Sequence, residues 1–210
     1  MKKTLPFLLF MFVFVFVSGF LVGYFSERTG MVYTQSEIDR LRNQVDNMQL
    51  QEMFISGEKV DCNLMYSTMG KVSWSLYDMV DRLKVTNPGT EEFTKLKRDA
   101  DTMSLRAWII ARNIQQQCKS DIFPVLYLYS GYCSECQNQD AILKTEKEKH
   151  PQVMVYAIDY DMSQDATDLV KAAYSITSTP SMIINHTLYG KLSEADLENI
   201  ICQSINCSAS

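Results

Sequence analysis

Apolar and polar positions alternate in three distinct ways along the chain. From Leu5 to Phe25 the sequence carries no charge and is broken only by Ser18, Gly19 and Gly23. That run matches the roughly 20 apolar residues a helix needs to cross a bilayer. It is apolar on every face, unlike a half-buried core helix. A cleaved signal peptide has a shorter apolar core of about 7–15 residues and a small-residue cleavage site. Here bulky Phe and Tyr surround the small residues, so an uncleaved signal anchor is preferred to a cleaved signal. Lys2 and Lys3 precede the run, which places the N-terminus in the cytoplasm and the remainder outside it by the positive-inside rule.

The second texture has helical periods. Ser36 can cap a helix to about Phe54, with Ile38, Leu41, Val45 and Met48 as its seam. The seam is shorter than a firm coiled coil, so a stalk packing on its own chain is preferred to a dimer seam, with Gly57 ending it. Further on, Phe93, Leu96, Ala100, Met103, Ala107, Ile110 and Ile114 step by alternate threes and fours. Thr90 can cap that helix, with Glu91 and Glu92 in the first turn, where the dipole favours acids. Cys62, Tyr66, Met69, Ser73, Leu76, Val80 and Leu83 give a partner stripe, and Asn87-Pro88-Gly89 between them signals a turn. Residues 58–118 therefore read as an antiparallel helical hairpin. Cys62 and Cys118 lie on the two seams at its open end, where a structural disulfide is expected. Closing that loop would stabilise by about 3–4 kcal/mol. Two unpaired buried thiols are the alternative. Zinc is disfavoured, because no histidine or third cysteine lies at ligand spacing.

From Asp121 the texture changes again. Ile122 to Tyr129 is rich in β-branched and aromatic residues and predicts a buried strand. A turn at Gly131–Cys136 leads to a helix from Gln137 to about Lys149. A strand follows at 153–158, a helix at 166–174 and strands at 181–185 and 187–190. A last helix, capped by Ser193, spans 194–201. The order is β-α-β-α-β-β-α. The predicted organisation is a cytoplasmic start and anchor over 1–33, a helical stalk and hairpin over 34–119, and an α/β domain over 120–210.

Composition narrows the partners. The 210 residues carry a formal charge of −5, which argues against nucleic acid, whose binders show a basic patch. Lys95, Lys97 and Arg98 share a helix with acids and read as a solvated face. Six cysteines, at 62, 118, 133, 136, 202 and 207, fit an oxidising location.

The motif Tyr132-Cys133-Ser134-Glu135-Cys136, the segment Ile176-Thr177-Ser178-Thr179-Pro180 and the segment Gly190-Lys191-Leu192-Ser193 occur in one order. In this order, residues 120–202 resemble a thioredoxin-fold domain: a strand running into a C-x-x-C turn, a cis-proline segment, and a glycine before the last helix. The resemblance implies a trimmed fold without the family's first strand and helix, and the helical region before it has no recognised counterpart there. It implies a cis Pro180, with the Thr179 backbone placed to pair with a substrate strand. A thiolate, not a thiol, attacks a disulfide. At a helix start, free N–H groups and the dipole favour that charge. Cys133 is thus the expected nucleophile and Cys136, one turn inward, the resolving cysteine. An inert structural disulfide is the alternative. Three positions depart from the family. Glu135 in the dipeptide should oppose the thiolate and make the pair more reducing. Tyr127 stands where the family has a buried acid, and Val155 where it has a lysine.

Cys202 and Cys207 flank the end of the last helix, and a local structural disulfide is preferred to free thiols. Asn185-His186-Thr187 and Asn206-Cys207-Ser208 fit the N-glycosylation pattern. His150 and His186 read as isolated loop residues. The expectation is a membrane-anchored, extracytoplasmic thiol-disulfide oxidoreductase, without cofactor or metal. It would act on thiols or disulfides of exported proteins and be served by an unidentified redox partner. A non-enzymatic thioredoxin-like binding module is the alternative, and metal delivery through Cys133 and Cys136 lacks the added histidine it would need.

Overall fold

The structure is a computed structural model that describes residues 13–14, 16–20, 61–162, 165–205 and 207, with the side chains of 165 and 166 left aside. The expected stalk over 36–54, Gly57, Asn206 and most of the anchor lie outside the described residues. Within the anchor run, residues 13–14 and 16–20 are helical, and Val13, Phe14, Phe16, Val17 and Phe20 are exposed. Among the described residues no helix is long and apolar enough to cross a membrane. The chain divides into two units, Met1–Glu58 and Lys59–Ser210. The elements below belong to the second.

The unit begins with a helical hairpin. Helix α1 spans Cys62–Val85 and helix α2 spans Glu91–Cys118. Asp61 caps α1 by accepting the Asn63 N–H at 2.9 Å, and Thr90 caps α2 by accepting the Phe93 N–H at 3.1 Å. The link turns at Gly89, whose φ of 92° suits a residue without Cβ. The stripe of α1 differs from the expected one. Met65 and Met69 are its buried positions and Val72 and Met79 are half-buried, whereas Tyr66, Ser73 and Val80 face solvent. Both stripes share the same heptad spacing. The hairpin seats the flexible methionines, which fill irregular gaps, and leaves the tyrosine outside.

Helix α2 is buried over a wider arc than one stripe. Besides Leu96, Ala100, Ala107, Ile110 and Ile114, it buries Asp101, Ser104, Leu105, Trp108 and Ala111. The second set exists because α2 has two neighbours, packing on α1 and also on the sheet.

That sheet has the order β2-β1-β3-β4, built from β1 (Phe123–Tyr129), β2 (Val153–Asp159), β3 (Ser181–Ile184) and β4 (Thr187–Tyr189). Strand β2 is parallel to β1, while β3 and β4 are antiparallel additions. Helices α3 (Ser134–Lys149), α4 (Asp165–Tyr174) and α5 (Glu194–Ser204) complete the unit. Alternation along β1 splits its side chains between two faces. Phe123, Val125 and Tyr127 join Met182, Ile184, Leu143 of α3, and Leu197 and Ile201 of α5 in one core. Leu126 and Leu128, fully buried, point to the opposite face, where α2 packs on β1 and β2 and also meets α4. Helix α2 therefore covers this face of the sheet, and the hairpin and the α/β elements lie together in the unit Lys59–Ser210. Asn185 and His186, with φ of 47° and 68°, form the two-residue β3–β4 turn, whose positive angles match strand twist.

Candidate functional site

Strand β1 ends at Tyr129 and α3 begins at Ser134, three residues earlier in the chain than the expected Gln137. Cys133 is therefore the N-cap itself, and its side chain makes no capping hydrogen bond. As the N-cap it stands at the helix end whose first-turn N–H groups and dipole favour a negative charge. Cys133 is half-buried, and Cys136, one turn inward, is only 5% exposed. The two are joined, with Cα atoms 5.3 Å apart. Exposure orders the pair: an incoming sulfur meets Cys133 first.

The peptide bond between Thr179 and Pro180 is cis. Thr179 lines one groove with Ser130, Tyr132, Cys133, Ser134 and Glu135. Tyr132, 95% exposed, stands at its edge. Beneath the site, the buried Tyr127 hydroxyl donates to the Cys136 carbonyl at 2.9 Å. Burial, with the charge of Asp140, pushes the Tyr127 phenol up to about 12, so it remains a donor. Tyr127 is thus a brace rather than a proton acceptor. Val155 is half-buried on β2 and pairs with Val125.

Two groups near the motif were not evident in the sequence. Lys191 forms an ion pair with Glu135. Glu135 does not face the cysteines as an uncompensated charge, and the opposition expected from it is reduced. The sequence signal for this pair is the lysine within Gly190-Lys191-Leu192-Ser193. The second group lies where α2 meets the ends of β1 and β2. The Lys97 ammonium donates to Asp159 Oδ2, and Asp101 is 5% exposed with its Oδ2 unpartnered among the described residues. Burial, and then the neighbouring Asp159 charge, raises the Asp101 carboxyl to about 7, against the pull of the Asp159 backbone N–H and of Lys97. From Asp159 a relay reaches the motif. The Asp161 N–H donates to Asp159 Oδ1 at 2.9 Å, and the Ser130 hydroxyl donates to Asp161 Oδ2 at 2.6 Å. Ser130 Oγ in turn accepts the Tyr132 N–H at 3.1 Å.

The other cysteines are away from this groove. Cys62, the first residue of α1, is joined to Cys118, the last of α2, with Cα atoms 5.9 Å apart. Cys202 is joined to Cys207, with Cα atoms 5.0 Å apart. Neither histidine is isolated. A His186 ring nitrogen lies 2.7 Å from Gln116 Nε2, and His150 Nδ1 lies 3.9 Å from Cys207 Sγ. Both contacts join residues far apart in the chain, which local reading does not reach. Asn185 is exposed, and its amide donates to Ser204 Oγ at 2.9 Å.

Strand order, a C-x-x-C at the N-cap after the central strand and a cis proline before the next strand define a thioredoxin-like fold. No protein-family model matches the chain, and no curated protein matches it either. Among solved structures it is similar to oxidised thioredoxin O1 from Arabidopsis thaliana, at 17% identity over 47% of this chain and 90% of that one, with a TM-score of 0.38. It is also similar to the germline-specific thioredoxin Deadhead from Drosophila melanogaster, at 19% identity over 45% and 91% of the two chains and a TM-score of 0.36. Thioredoxin f2 from Chlamydomonas reinhardtii gives 16% identity, 44% and 85% coverage and a TM-score of 0.35.

Proposed function

We propose that this protein is a membrane-anchored, extracytoplasmic thiol-disulfide oxidoreductase that exchanges disulfides with exported proteins. One observation carries the reading: a half-exposed Cys133 at a helix N-cap, bonded to a buried Cys136, shares its groove with Thr179 before a cis proline. Support for the anchor is the uncharged run from Leu5 to Phe25 behind Lys2 and Lys3.

The exchange balances as follows. The Cys133 thiolate attacks one sulfur of a substrate disulfide; that S–S bond breaks, and the other substrate sulfur leaves and takes a proton. Cys136, as thiolate, then attacks Cys133 Sγ, which closes the 133–136 disulfide and frees the second substrate thiol. Two electrons and two protons reach the substrate. The reverse sequence oxidises a substrate dithiol. Thr179 would align the substrate backbone beside Cys133.

The test is alkylation of the full-length protein before and after mild reduction. The expected result is one readily reduced pair, mapping to Cys133 and Cys136, together with a Cys136→Ser variant that accumulates mixed disulfides through Cys133. If all three pairs resist reduction alike, the protein is a thioredoxin-like binding module rather than an enzyme. The reduction potential then assigns the direction of exchange.

A further inference from the structure

Away from the groove, the C-terminal end of α3 meets the C-terminal end of α5. His150, Cys202 and Cys207 are each half-buried there, and one ligand atom from each lies within 4.8 Å of the others. Behind them is Glu146, fully buried. Its Oε1 accepts from Lys149 Nζ at 2.9 Å. Its Oε2 has no hydrogen-bond partner among the described residues and faces His150 Nε2 at 3.8 Å. That distance is too long for a hydrogen bond, and a buried acceptor left unmatched is costly.

These separations suit an ion. With zinc bonds near 2.1 Å to nitrogen and oxygen and 2.3 Å to sulfur, tetrahedral geometry sets N···O at about 3.4 Å and N···S at about 3.6 Å. Measured from Nε2, the one ring nitrogen a single ion would take, the values here are 3.8 Å to Glu146 Oε2 and 4.0 Å to Cys207 Sγ. Each is a few tenths of an ångström from a metal-bound spacing. What prevents binding is the Cys202–Cys207 bond, which leaves neither sulfur anionic. We propose that reduction of this disulfide creates a site for a zinc-class divalent cation, held by Glu146, His150, Cys202 and Cys207. A dithiol supplies the electrons: the 202–207 bond breaks, both cysteines gain protons and the dithiol leaves as a disulfide. The incoming cation expels those two protons, because cysteine ligates as thiolate. The sulfurs then move apart to about 3.8 Å, a change that rotation about the two Cα–Cβ bonds spans. Lys149, fixed on Oε1, aims the carboxylate, as outer partners of metal ligands do. This site is independent of the proposed exchange activity.

Cobalt(II) provides the test, since its thiolate charge-transfer and visible bands report ligands directly. The sample is the full chain carrying Cys133→Ser and Cys136→Ser, oxidised or reduced with a phosphine under argon. The reduced protein should bind one equivalent with thiolate bands, zinc should displace it, and the oxidised protein should bind none. Adding Cys202→Ser and Cys207→Ser should abolish the bands, and His150→Ala or Glu146→Gln should weaken binding about tenfold or more. Zinc should also raise the melting temperature of the reduced protein, but not of the Cys202→Ser/Cys207→Ser form. Three results overturn the proposal: no uptake by the reduced chain whether or not it stays folded, bands that survive loss of Cys202 and Cys207, or an affinity indifferent to both His150 and Glu146.

Discussion

Asp101→Asn should make the protein more stable at neutral pH while leaving it nearly unchanged at pH 4. Asp101 is 5% exposed, and its carboxyl is raised from 3.8 to about 7, first by burial and then by the charge of Asp159. Between those values the folded state holds a proton that the unfolded chain has released. Stability therefore falls as pH rises through this window, and the loss is complete above about 7. At 1.36 kcal/mol per pH unit the full penalty is about 4 kcal/mol, an upper figure for a group with charged neighbours. Asparagine keeps an acceptor for the Asp159 N–H but cannot ionise. The assay is urea unfolding of wild type and variant, disulfides intact, from pH 4 to 8. The difference in unfolding free energy should grow with pH and level off near pH 8, at a few kcal/mol in favour of the variant. A difference that stays flat across this range would refute the reasoning, as would a variant that is less stable at pH 8.

Three further outcomes follow from the geometry. Tyr127→Phe removes the buried donor to the Cys136 carbonyl and should cost about 1–3 kcal/mol in denaturant unfolding; a change under half of that would mean the carbonyl is satisfied without it. Lys191→Gln should expose Cys133 to the full charge of Glu135 and make the pair more reducing by about 10–20 mV, the scale of an exposed ion pair converted for a two-electron couple. Glu135→Gln should shift the potential the opposite way, and redox equilibration against glutathione that finds no opposite signs would sink the assignment. Replacing Cys62 and Cys118 by serine releases a loop of sequence separation 56 and should cost about 4 kcal/mol on the chain-entropy estimate, read as a lower denaturant midpoint with the 133–136 pair intact.

What could be read from the sequence is what local chemistry decides. Thr90 and Ser193 cap their helices as their side chains allow, and Asn87-Pro88-Gly89 turns the hairpin. The C-x-x-C lies where an apolar strand must give way to a helix. The second buried face of α2 was obscured because it includes Asp101 and Ser104, polar residues that break an apolar period and make sense only against a sheet. The α1 stripe lies one position away from the expected one at three sites, because steps of three and four fit either register and spacing alone does not choose between Met65, Val72 and Met79 and their neighbours Tyr66, Ser73 and Val80. The charges around the motif share one cause of concealment. Lys191 meets Glu135 from the loop before α5, and Asp101 and Lys97 reach the ends of β1 and β2 from α2. Chain-local sequence thus sets which sulfur is exposed, while segments far away in the chain set the field it sits in. Glu135 read alone predicts a more reducing pair; Glu135 read with Lys191 predicts a smaller effect whose size depends on salt, because an exposed ion pair is screened. The potential of this pair should therefore drift with ionic strength in wild type and drift less once both charges are removed, a distinction that belongs to the folded chain and not to the motif.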